Sequence, residues 1–131
     1  MSAAPESMVG QWLVKADHDY GSARDLIEFS SDCAYDVVCF LCQQCVEKYL
    51  KAMLVLNGLD VPRTHDLTQI FAAIPSCDSL AIEIDELANL TPYAVEMRYP
   101  GHWLMETREE ATKAFQAATR IRNLLRPLLQ P

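Results

Sequence analysis

The segment from Tyr35 to Asn57 most constrains what this chain can fold into. Read as a helix, it is apolar over more than half of its circumference, and Gly58 follows as a natural stop. A helix of that kind must be surrounded, so the sequence predicts a bundle built around it. The flanking segments supply the neighbours. Trp12, Ala16, Tyr20, Ala23 and Ile27 recur at three- and four-residue steps, predicting a helix from Val9 to about Ser30. After the connector Leu59 to Asp66, a short helix is expected from Asp66 to about Ile74, where Pro75-Ser76 ends it. A fourth helix is expected from about Ser79 to Leu90, and Tyr99-Pro100-Gly101 is a break. Thr107 then caps the last helix, with Glu110 three positions on in a capping box. Ala111, Ala114, Phe115, Ala118, Ile121 and Leu125 form its core stripe, and Pro127 lies near its end. The expected fold is all-α, an antiparallel up-and-down bundle of four main helices plus one short helix. It spans residues 9–128, with residues 1–8 as a flexible tail.

Length and charge narrow the function. A chain of 131 residues makes one domain, and its 50% apolar content supports a real core. The net charge of −7 opposes a phosphate backbone unless the basic residues cluster. Residues 64–97 hold six acids and no Lys or Arg, whereas residues 98–131 hold six basic residues and three acids. That C-terminal bias reads either as a solvated helix face or as a local positive surface. No signal peptide or membrane span is legible, and the expected setting is cytoplasmic.

Cys39, Cys42 and Cys45 have the outline of a ligand run, but helical rotation spreads them over about 120° of the apolar face. They read as reduced, buried thiols, and no metal or other cofactor is expected. On the same helix Gln43, Gln44, Glu47, Lys48 and Lys51 fall within an arc of about 140°. Simple solvation explains such a strip, and so does a partner or cleft that it faces. Thr64-His65-Asp66-Leu67 reads as a helix start capped by Thr64 or Asp66, which leaves His65 without an assigned partner. His18 is expected on the surface.

Arg98-Tyr99-Pro100-Gly101-His102-Trp103 is the segment richest in chemistry. A permanently charged Arg stabilises negative charge on phosphate, and His moves protons near neutral pH. The structural alternative pairs Arg98 with a bundle carboxylate and uses Tyr99 and Trp103 to seal the bundle end.

Three motifs in this order and spacing carry a resemblance. They are Gln44-x-x-Glu47-Lys48-x-x-Lys51-Ala52, then Pro62-x-Thr64-His65-Asp66-Leu67, then Arg98-Tyr99-Pro100. With Trp12 and the amphipathic last helix, they make residues 9 to 126 resemble a HEPN domain. The resemblance implies a two-fold homodimer, frequently paired with a minimal nucleotidyltransferase. It also implies either a nucleotide- or RNA-binding accessory or a metal-independent endoribonuclease toxin of a toxin–antitoxin pair. The family's Arg-x(4–6)-His nuclease motif falls on Arg98 and His102, with three intervening residues here. Leu104 stands where the silenced toxins carry a Tyr two residues after the His. Carried onto this chain, the candidate catalytic pair is Arg98 and His102. The nucleotide- or RNA-binding candidates are Lys48, Lys51, Tyr99 and Trp103.

Overall fold

The computed structural model describes residues 7–30, 34–94 and 106–130. Three helices of equal length dominate: α1 (Met8–Phe29), α2 (Tyr35–Leu56) and, last in the chain, α5 (Arg108–Leu129). Between α2 and α5 lie the short α3 (Leu67–Ala72) and α4 (Ile84–Leu90), with single 3-10 turns at Cys77–Ser79 and Thr91–Ala94. No strand occurs among the described residues. The all-α bundle read from the sequence is therefore the observed architecture.

Local chemistry sets the helix ends. Ser7 caps α1 by accepting from Gly10 N at 2.9 Å. Gly58 follows α2 at φ +71°, a conformation that costs glycine little. There the Leu59 N–H reaches Leu54 O at 2.9 Å and the Gly58 N–H reaches Val55 O at 3.0 Å, closing α2 with a Schellman motif. Asp66, rather than Thr64, caps α3 by accepting from the Thr68 and Gln69 amides. The capping box of α5 forms as expected, with Glu110 N on Thr107 Oγ1 at 3.1 Å and Thr107 N on Glu110 Oε1 at 3.3 Å. Pro127 sits inside the last turn of α5, which runs on to Leu129.

The fourth helix starts later than its sequence suggests. Ser76 adopts φ +64°, Cys77–Ser79 form a 3-10 turn, and the chain is non-helical until Ile84. Burying Ile82 and half-burying Leu80 against the core outweighs helix propensity in that stretch.

Cross-helix contacts fix the directions. Asp17 meets Tyr49 and Asp19 meets Lys48, so α1 and α2 are antiparallel. Asp17 also meets Arg126 while Tyr20 meets Thr119, so α5 is antiparallel to α1 and parallel to α2. Glu86 pairs with Arg120, and Tyr93 lies opposite Glu110 across a cleft, so α4 and its 3-10 extension descend against α5.

The core lies around α2, as its pattern requires. Tyr49, Leu50 and Leu54 are fully buried, and each such apolar side chain contributes about 2 kcal/mol by leaving water. Cys39, Cys42 and Cys45 are also fully buried. Burial pushes the Cys39 thiol up to about 12 and drives Cys42 and Cys45 upward as well. These three thiols are expected to resist an aromatic disulfide reagent until the protein unfolds, whereas half-buried Cys77 reacts in the native state. Rapid native-state modification of Cys42, located by peptide mass spectrometry, would contradict this packing.

Candidate functional site

The polar strip of α2 is mostly not a solvent face. Gln43, Glu47 and Lys51 are buried, at 0%, 5% and 6% exposure. The solvated-face reading of this strip is corrected accordingly. Burying a carboxylate demands partners for both of its oxygens, and the fold provides them. Lys51 Nζ donates to Glu47 Oε2 at 3.0 Å, and Gln43 Nε2 donates to Glu47 Oε1 at 3.1 Å. His65 Nδ1 stands 2.8 Å from Glu47 Oε1, which supplies the partner that the sequence left unassigned. Gln43 Nε2 also donates to the His65 carbonyl at 3.1 Å, and Gln44 Nε2 donates to Gln43 Oε1 at 2.7 Å. Trp12 lies beneath the Lys51 ammonium, 5.9 Å from ring centroid to nitrogen. Burial alone would raise the Glu47 carboxyl. The bonds from Gln43, Lys51 and His65 outweigh burial and hold it below its ordinary value.

A second cluster joins the three long helices. Asp17 of α1 receives the Tyr49 hydroxyl of α2 and a two-pronged guanidinium from Arg126 of α5, with Nη2 at 2.7 Å from Oδ2 and Nε at 3.1 Å from Oδ1. Arg122 Nε donates to Tyr49 Oη at 3.1 Å, and its guanidinium carbon lies 4.6 Å from the Tyr20 ring centroid. Burial would raise the Asp17 carboxyl, but Arg126, Tyr49 and Arg122 together hold it below the usual range. The last helix is therefore less free to present positive charge than its composition suggests, because Arg120, Arg122 and Arg126 all face carboxylates.

Lys51 is locked to Glu47, and Lys48 is bound to Asp19 with its side chain 21% exposed. His18 is exposed on α1, as expected. Arg98, Tyr99, His102 and Trp103 lie outside the described residues. On the described flanks of their segment, Tyr93 and Glu110 face one cleft of 410 Å³, lined also by Asn89, Lys113 and Gln116. Burial raises the Tyr93 hydroxyl. No group of three or more His, Cys, Asp or Glu positioned to hold a metal occurs among the described residues. No helix among them is long and apolar enough to cross a membrane.

Sequence reasoning missed the Glu47–His65 contact and the Asp17 cluster. The three-residue step from Gln44 to Glu47 was visible, but a contact spanning a turn of irregular backbone carries no periodic signal.

Three long helices, with α1 antiparallel to both α2 and α5, closed by two short ones, define a class of small all-helical domains. The HEPN domain profile matches residues 9–128, and the chain belongs to the HEPN family. The crystal structure of TT1696 from Thermus thermophilus has a similar fold, with TM-score 0.76 and 23% identity over 91% of this chain and 96% of that one. An archaeal HEPN homologue, ST0689, superposes with TM-score 0.71 and 25% identity over 95% of this chain and 99% of that one. No curated protein matches the chain.

Both hub carboxylates give acid-sensitive stability. Each has a folded value below its unfolded one, so its contribution is present above the unfolded value and is lost as pH falls through the folded value. Urea unfolding should show stability declining as pH drops below 4.5, the ordinary Glu value. The Glu47→Gln variant should decline less steeply. An equal slope for the variant and the wild type would show that Glu47 contributes nothing to acid sensitivity.

Proposed function

We propose that this HEPN protein binds nucleotide or RNA as a homodimeric partner of a minimal nucleotidyltransferase. The observation that carries this reading is the family match over residues 9–128, which takes in the connector Arg98-Tyr99-Pro100-Gly101-His102-Trp103. In this reading Arg98 meets the phosphate and the flat faces of Tyr99 and Trp103 stack on a base. Lys48 contributes charge at the rim, and Lys51 acts through Glu47 rather than on the ligand. An isologous dimer brings two such connectors to one two-fold axis.

The second reading is a metal-independent endoribonuclease toxin. The Arg98-x-x-x-His102 pair favours it. Here His102 transfers the proton of the attacking 2′-hydroxyl or of the leaving oxygen, and Arg98 stabilises the charged phosphoryl group. Binding ranks first for two reasons. The Arg-to-His spacing is one residue shorter than the nuclease motif, and the net charge of −7 weakens the grip on a long polyanion.

The test compares wild type with Arg98→Ala and His102→Ala on single-stranded RNA in the presence of chelator. The binding reading expects no cleavage by wild type, and nucleotide or RNA affinity reduced about tenfold by Arg98→Ala. Cleavage by wild type that both substitutions abolish selects the nuclease. Absence of binding and cleavage alike refutes both readings.

A further inference from the structure

The hub on α2 leaves one ring nitrogen uncommitted. Both Glu47 oxygens are engaged, Oε2 by Lys51 and Oε1 by Gln43 and His65. An ionised carboxylate only accepts, so the proton between Glu47 and His65 belongs to Nδ1. In the neutral imidazole Nε2 then carries the free lone pair. The His65 side chain is 46% exposed while Glu47 beneath it is 6% exposed, so the ring is oriented from inside and presented outward.

Arg63 supplies the positive charge that an anionic ligand would need here, with Asp60 three residues before it and Asp66 three after. Lys51 neutralises Glu47, so the carboxylate orients the imidazole without cancelling nearby positive charge. Arg63 stands two residues before His65, exposed and without an ion pair among the described residues. Two residues span at most about 7 Å, so a guanidinium and an imidazole can meet one ligand. Asp66, the acid next to His65, is turned away, with Oδ1 accepting from the Thr68 and Gln69 amides and the Thr68 hydroxyl. The start of α3, next to this connector, is tied to the Thr91–Ala94 turn, because Leu67 N donates to Thr91 Oγ1 at 3.1 Å.

We propose that Arg63 and His65 form a contact site for a phosphoribosyl unit, with the Arg63 guanidinium on the phosphate oxygens and His65 Nε2 accepting from the ribose 2′-hydroxyl. This deepens the binding reading and rests on it. It assigns Glu47 as a positioning residue, and it gives the site a basis for telling ribose from deoxyribose. The ligand is either a free mononucleotide or a unit of an RNA chain.

The test measures binding of a fluorescent single-stranded oligoribonucleotide, its deoxyribose counterpart and unlabelled AMP. The proteins are wild type, Arg63→Ala, His65→Ala, Arg98→Ala and, as a control, His18→Ala. Arg63 has no described partner, so its variant keeps the fold even if the His65 variant does not. Arg63→Ala is expected to weaken the oligoribonucleotide about tenfold, the range for loss of one phosphate or base contact. His65→Ala is expected to weaken the ribose form more than the deoxyribose form, and His18→Ala binds as wild type. Parallel loss of AMP binding identifies a mononucleotide site, and loss confined to the oligomer identifies an RNA-chain site. Wild-type binding that survives both substitutions but falls with Arg98→Ala overturns this inference and leaves the binding reading intact. No wild-type binding to any probe overturns both.

Discussion

The carboxylate of Glu47 sits almost wholly out of water in the middle of the most buried helix, and the surrounding structure is arranged to tolerate it. A lone ion in that position would cost several kcal/mol. Lys51 supplies the opposite charge one turn later on the same helix, but an ion pair within one helix fixes nothing beyond that helix. Gln43 and His65 add the tertiary consequence. One binds the connector backbone and the carboxylate together, and the other brings the connector's own side chain onto the carboxylate. The irregular chain after α2 is thereby held against α2 at a defined residue. The start of α3 follows directly from that attachment, and Leu67 ties it to Thr91. Buried polar groups of this kind add less to stability than apolar packing does, and their value here is to select one arrangement of the connector.

The Asp17 cluster does for the three long helices what Glu47 does for the connector. One carboxylate on α1 receives a hydroxyl from α2 and a guanidinium from α5, so the three helices share a single register. This also accounts for the charge distribution. Three arginines of the basic C-terminal stretch, Arg120, Arg122 and Arg126, face Asp17 and Glu86, and the lysines of α2 face Asp19 and Glu47. Most of the cations suited to a polyanion therefore serve the bundle itself. Arg63 on the connector, like Lys15 and Arg108, has no carboxylate holding it among the described residues.

Much of the fold was legible because helices declare themselves locally. The apolar breadth of α2, the stop at Gly58 and the Thr107–Glu110 box each follow from neighbours a few residues apart, and each appears as expected. The start of α4 was not legible. Ser79 to Glu83 has a plausible helical composition, but the chain there follows Ile82 into the core. The site was less legible than the fold. Helical periodicity placed Gln43, Glu47 and Lys51 on one face, and a polar face ordinarily points to water. Only the path of residues 59–66 turns that face into a buried hub, and that path depends on contacts between residues 18 and 22 positions apart. Arg98 and His102 stand out by residue type and by family resemblance, without help from periodicity.

The central claim is that Glu47 and His65 act as one unit joining α2 to the connector. A double-mutant cycle tests it most directly, with Glu47→Gln, His65→Ala and the double variant compared by urea unfolding at neutral pH. Residues in one hydrogen-bonded network should show a coupling of about 1 kcal/mol, so that the double variant loses clearly less than the sum of the single losses. Losses that add to within about 0.3 kcal/mol would mean that the two side chains contribute independently, and would contradict the account.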